Sequence, residues 1–408
     1  MNVDLIVKNI SQLVTCKGCV PKKGKDLLEL GIIEHGALAV LDGHFIGVGF
    51  EGDILKNFSS NVVVDVNGCT VLPGFVDSHT HLVFGGDRSK EFEMRLQGTS
   101  YEEIMAKGGG ILSTVKATRA LSNESLFDQS SKRMKAMIAS GTTTFEIKSG
   151  YGLDLKTELK MLKVSRDLGE MYGANVKTTF LGAHSLPDDL SKEAFINLVK
   201  GEMLQACKPY SDFIDVFCDK GAFTNDETED IVWDSGLPIR LHVDELADTG
   251  GAHLAARLGA ISADHLICSS EDGFKALADS GTVCTFLPGT SFFLGKPFAK
   301  ARHAIELGCI VAIASDRNPG SCTIQTMDFV IGLACTKLGL TPAEAINSAT
   351  INAAYSLRLQ NEVGSIEIGK RADFVVLDVS SYTMIPYELQ ISHVNRVFLS
   401  GKEAKWQD

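Results

Sequence analysis

Residues 73–86 read "PGFVDSHTHLVFGG". They continue an apolar run, "TVLPGFVD" from Thr70 to Asp77, that has the character of a buried strand, and they carry two histidines one residue apart, His79 and His81. Side chains at i and i+2 of a strand share a face. Two imidazoles at that spacing, where a strand runs out, can aim two ring nitrogens at one point, as a metal ion requires. Two unrelated loop histidines are the plain alternative for the pair taken alone, so the rest of the chain decides.

Working outward, seven more strand-like runs follow: "TTTFEIK", "VKTTFLGA", "FIDVFC", "PIRLHV", "AISADHL", "TVCTFLP" and "CIVAIASD". Between them lie stretches with apolar residues at three- and four-residue spacing, such as "LDLKTELKMLKVSRDLGEMYG" and "TGGAHLAARLG", which predict helices. Eight strands alternating with helices over residues 69–356 predict an α/β fold, a (β/α)8 TIM barrel. An open doubly wound sheet would more often carry a Gly-rich fingerprint after its first strand, and none is present. Gly108–Gly110 in "KGGGILS" follow helical sequence and read as a mobile loop, not a phosphate cradle. Both ends of the chain are short β-rich runs broken by Gly, Asn and Asp, among them "DLIVKNISQLVT", "GALAVLDGHFIGVGF" and "RADFVVLDV". They predict a small composite β-sandwich domain made of residues 1–68 and 357–408.

Composition bounds the partners. The 408 residues are 44% hydrophobic and 22% charged, an ordinary globular balance. That length suits one large domain and a smaller one. A net charge of −12 without a basic patch argues against nucleic acid. The opening "MNVDLIVKNI" lacks the pattern of a signal peptide, and no apolar run approaches the ~18 residues of a membrane span. A cytoplasmic protein without a membrane partner is expected. The ten scattered cysteines then read as reduced thiols. Cys16 and Cys19 in "CKGC" lack the second pair of a four-ligand zinc site and read as a turn.

A (β/α)8 barrel carries its active site at the C-terminal ends of its strands. There the chain places His79 and His81 after strand one, Lys148 and Tyr151 after strand two, and His184 after strand three. Asp219 and Lys220 follow strand four, His242 and Glu245 stand at strand five, His265 at strand six and Asp316 at strand eight. Five of the ten histidines therefore share one rim. The other five (His35, His44, His253, His303 and His393) read as surface or packing residues. Three imidazoles and a carboxylate, His79, His81, His242 and Asp316, suit Zn²⁺ or Fe²⁺. Such an ion can bring the pKa of bound water from about 15.7 to about 7.

These residues resemble the amidohydrolase superfamily: "PGFVDSHTH" at strand one, a lone histidine at strands five and six, "SD" at strand eight, and the closing "GSIEIGKRADFVVLD". Within it, "HTHLVFGGDR", "GGGILSTVKATR", "EIKSGYGLD", "LGAHSLP", "HVDE" and "SDRNPGS", in that order, resemble the imidazolonepropionase family. The likeness implies one divalent ion, Zn or Fe, on the four residues already named. It implies hydrolysis of 4-imidazolone-5-propanoate to N-formimidoyl-L-glutamate by attack of metal-bound water, a step of histidine degradation. Substrate contacts are implied for Arg88, Tyr151, His184, Glu245, Asn318, Gly320 and Ser321, with Arg88 gripping the propionate. The proton transfers and oxyanion stabilisation would be shared among Glu245, His265 and Asp316. Lys220 sits in a polar turn and is not expected to bridge two metals; Lys148 is expected to support the site or form an ordinary ion pair. A purine or pyrimidine deaminase would use the same metal and the same Glu245 and His265, but has less need of a carboxylate clamp. A catalytically dead barrel would tend to lose ligands. A homodimer is expected.

Overall fold

The computed structural model describes residues 1–99, 103–104, 108–389 and 391–405. Its strands form two eight-stranded sheets. One is an all-parallel ladder in chain order: β6 (Phe75–Thr80), β7 (Thr142–Lys148), β8 (Asn175–Ala183), β9 (Phe213–Cys218), β10 (Ile239–Val243), β11 (Ser262–His265), β12 (Val283–Phe286) and β13 (Ile310–Ile313). Each of the eight expected barrel strands is present. Helices alternate with them for local reasons. Asp154 accepts from the Thr157 N–H at 2.7 Å and caps the helix Leu155–Tyr172, which Gly173 ends in the left-handed conformation. That helix buries Met161, Leu162, Val164 and Leu168 on one face, against the outside of the sheet.

The other sheet runs β16 (Lys402–Glu403), β15 (Val394–Leu399), β14 (Phe374–Leu377), β5 (Val71–Pro73), β1 (Leu5–Val14), β2 (Ile32–Leu41) and β3 (His44–Phe50), with β4 (Val63–Asp65) beside β1. Both chain ends thus contribute to one mixed sheet, whose own core includes Leu13, Leu38, Phe45, Phe374 and Phe398. The rings of Phe374 and Phe398 stack at 4.3 Å.

One sequence expectation divides here. The run "TVLPGFVD" is not a single strand. Val71–Pro73 pairs antiparallel with β14 in the terminal sheet, and only from Phe75 does the chain enter the barrel. Gly74 makes the change of sheet: a Cβ there would overlap the Thr143 side chain. Gly110 caps the helix Ile111–Ala120 with a positive φ, while Lys107 of the same stretch lies outside the described residues. Among the described residues no helix is long and apolar enough to cross a membrane.

Candidate active site

The site begins where the parallel ladder closes. Past β13 the Asp316 N–H donates to the His79 carbonyl at 3.0 Å, and the His81 N–H donates to the Arg317 carbonyl at 2.9 Å. This seam brings strand one against strand eight and lays a carboxylate beside the histidine pair. Asp316 Oδ1 lies 3.5 Å from His79 Nε2 and 3.6 Å from His81 Nε2. From β10, His242 Nε2 comes within 3.3 Å of His81 Nε2. All four side chains are buried. His79 Nε2 has no hydrogen-bond partner.

The charges beneath explain the orientation. His79 Nδ1 donates to Asp264 Oδ2 at 2.7 Å, and His242 Nδ1 lies 2.9 Å from Asp215 Oδ2. The carboxylate behind the His79 ring puts its proton on Nδ1 and leaves the Nε2 lone pair facing the centre, and Asp215 stands in the matching place behind His242. Lone pairs crowded together are repulsive without a cation between them. Lys148 lies 2.9 Å from both Glu146 and Asp215, and Arg240 lies 3.2 Å from Asp264, all of them fully buried. This ion-paired layer lets Asp215 and Asp264 stay charged in the interior. Burial pushes His79, His81 and His265 far below the usual imidazole range, with neighbouring imidazoles and Lys148 adding to it. Neutral imidazoles are the ligand form a metal needs. The donor set therefore fits a divalent cation. His265 also falls in a group with His79 and His242 whose ligand atoms lie within 4.8 Å of one another.

Around the centre stand the other expected residues. His265 Nε2 lies 3.7 Å from Glu245 Oε2. Burial first, then the charges of Asp316 and Asp219, push the Glu245 carboxyl up to about 8. Asp219 accepts from the Glu245 N–H at 2.6 Å and the Leu246 N–H at 2.9 Å, so it fixes the turn that presents Glu245. The His184 ring stacks on His81 at 4.9 Å, and its Nδ1 lies 3.0 Å from the Gly150 carbonyl. Tyr151 is buried, with its ring 5.2 Å from that of His184. Lys220 is exposed.

Arg88 and the loop after strand eight hold two findings the sequence did not announce. Arg88 pairs with Glu91 at 2.8 Å, and a Cβ on Gly320 would overlap its Nη1. The guanidinium is thus held on one edge and pressed against a residue that must lack a side chain. Asn318 Oδ1 accepts from the N–H groups of Gly320 at 2.8 Å and Ser321 at 2.7 Å. Those two N–H groups, expected as donors to the substrate, are occupied by Asn318 here. Sequence reasoning also missed Asp215, Asp264, Glu146 and Arg240. Their signal was available: each is an ionisable residue inside an otherwise buried strand, where an unpaired charge is not tolerated. Thr290, which donates to Asp316 Oδ2, gave no such signal.

The comparisons with known proteins agree with this geometry. The description "Amidohydrolase family" matches residues 224–404. The imidazolonepropionase of Symbiobacterium thermophilum is 45% identical over 98% of this chain and 97% of its own. That of Alkaliphilus metalliredigens is 42% identical, covering 98% of each. The chain belongs to the imidazolonepropionase family. Among solved structures, an adenosine deaminase from Xanthomonas campestris with bound zinc superposes with a TM-score of 0.76 at 18% identity, covering 98% of this chain and 93% of that one. The guanine deaminase of E. coli reaches 0.75 at 15% identity, covering 99% of each. At such identities they share the fold, and the full-length likeness in sequence is to the imidazolonepropionase family alone of these.

Proposed function

We infer that this chain hydrolyses 4-imidazolone-5-propanoate to N-formimidoyl-L-glutamate, using one divalent ion, Zn or Fe, held by His79, His81, His242 and Asp316. The ring carbon–nitrogen amide bond breaks; water gives OH to the carbonyl carbon and a proton to the leaving nitrogen. When bound, the cation supplies Lewis acidity and activation of that water. The chain's own groups do the rest. Glu245 holds a proton at its carboxyl and passes it towards the departing nitrogen. His265 donates to the oxygen on which negative charge grows. Arg88 binds the propionate through the guanidinium edge that Glu91 leaves free. Tyr151 and His184 border the ring, and Asn318, Gly320 and Ser321 shape the wall beyond it.

The observation that carries this reading is Arg88, set on the loop seven residues past His81. A base deaminase, whose substrate has no carboxylate, has less need of a guanidinium there. Freshly prepared imidazolonepropionate, followed by the loss of its ultraviolet band, tests it. Turnover of that compound, with a tail-less imidazolone a poor substrate, is expected. No turnover by metal-loaded protein, or ammonia release from a purine or pyrimidine instead, would overturn it.

A further inference from the structure

A cavity of about 400 Å³ opens beside Arg88, and none of the four proposed ligands lines it. Phe84 and Phe293 form part of its wall, together with four arginines: Arg88, Arg95, Arg133 and Arg317. Arg88 has a carboxylate partner, Glu91. Among the described residues none pairs with Arg95, Arg133 or Arg317. Each of the three spends part of its guanidinium on backbone. Arg95 Nη2 donates to the Gly320 carbonyl at 3.4 Å, Arg317 Nη1 to the Asn318 carbonyl at 3.0 Å, and Arg133 Nη1 to the carbonyls of Leu82 and Phe84 at 3.0 Å. Arg133 also lies flat over the Phe84 ring, 3.5 Å from its centroid, and Arg317 Nε is buried without a partner. Asp87, the acid on the lining, is exposed and engaged with the Ser89 N–H at 2.9 Å.

Gathered guanidiniums outnumbering their counter-charges repel one another and are costly to bury; Glu91, already paired with Arg88, is the carboxylate whose charge also reaches Arg95. Burial and Arg317 pull Arg133 down to about 9, and burial with Arg88 lowers Arg95. An arrangement of this kind is relieved by an anion. We propose that the cavity is a second carboxylate subsite, an antechamber outside the Arg88 clamp in which Arg95 and Arg317 hold the acid group of a small carboxylate. It rests on the acidic substrate inferred above. The anion comes from the incoming propionate or from the ring-opened product, which carries one carboxylate more.

The test uses the metal-loaded enzyme and glutarate, a dicarboxylate with no ring, as probe. Calorimetry should detect glutarate binding that Arg95→Gln weakens about tenfold, the loss of one charge-assisted hydrogen bond. Arg95→Lys should restore most of it. In turnover, Arg95→Gln should raise KM and flatten the fall of kcat/KM with salt, because a steering charge is gone. Arg88→Met should leave residual glutarate binding that the added Arg95→Gln removes. A KM for Arg88→Met equal to the parent's would count against the clamp, while the residual binding would still report the antechamber. Competition by N-formimidoyl-glutamate that weakens in Arg95→Gln would assign the subsite to product, and a change in substrate KM alone would assign it to entry. Either supports it. Glutarate binding unchanged in Arg95→Gln, or abolished by Arg88→Met alone, would overturn the proposal.

Discussion

Glu245 is the residue whose environment says most about its task. A carboxyl raised to about 8 by burial beside Asp316 keeps a proton near neutrality and can still release it, which suits proton transfer. Glu245→Gln preserves shape and removes the titration. Turnover should drop by roughly 10²–10⁴-fold, with metal content unchanged by elemental analysis; near-parental turnover would reduce Glu245 to a spacer. Asp264 acts through His79, whose Nδ1 it holds at 2.7 Å. Asp264→Asn should weaken metal affinity about 10–100-fold in chelator competition. At Arg88, Met keeps the apolar stem and deletes the charge. KM for imidazolonepropionate should rise about ten- to a hundredfold, equivalent to roughly 1.5–3 kcal/mol, and an unaltered KM would make the Glu91 pair its only role. Reading these residues from sequence worked best for the histidines, because imidazoles at strand ends have few other reasons to be there. It said less of Asn318, whose polar atoms turn inward to organise a loop, since an amide's partners depend on backbone path and not on residue type.

The elements between these residues were legible where period and burial agree. Eight parallel strands, buried on both faces, read as apolar runs. The first run misled because two buried strands of different sheets abut at Gly74, and an apolar run carries no mark of which sheet it serves. The backbone of the rim was invisible altogether. Leu153, Asp244, His265, Leu266 and Asp316 all have positive φ at or just beyond strand ends. Such conformations cost about 1–3 kcal/mol each and persist only where surrounding contacts impose them. The loop bearing Tyr151 shows how. Buried Glu158 accepts from the N–H groups of Gly150 at 2.8 Å, Gly152 at 2.7 Å and Leu153 at 2.9 Å. Glu158→Ala would strand these donors in the interior. A loss of roughly 1–3 kcal/mol in denaturant unfolding is expected, with KM raised because Tyr151 is no longer fixed. An unchanged midpoint would mean that water replaces the carboxylate.

At the scale of the molecule, eight strands alternating with helices and the matching β-rich ends already implied a barrel and a small β-sandwich domain built from both termini; the termini in fact share one mixed sheet. The four proposed ligands straddle the barrel's closing seam. His79 and His81 enter from β6, His242 from β10, and Asp316 from beyond β13, so a cation held by all four ties the first strand to the last and to the middle of the ladder. The seam has hydrogen bonds of its own, from Asp316 to His79 and from His81 to Arg317, and an extensive buried core lies outside it. Metal removal should therefore leave the fold standing and lower its stability. By mass action, an ion present at a hundred times its dissociation constant contributes about 2.7 kcal/mol. Protein stripped with a chelator should keep its far-ultraviolet circular dichroism, melt at lower temperature and lose activity. One equivalent of Zn²⁺, or of Fe²⁺ added without oxygen, should restore both melting temperature and turnover, with titration of the two signals ending at the same ratio. A second equivalent needed for activity would exclude a mononuclear centre. Collapse of the dichroism on chelation would mean that the ion, and not the ladder, holds the barrel closed.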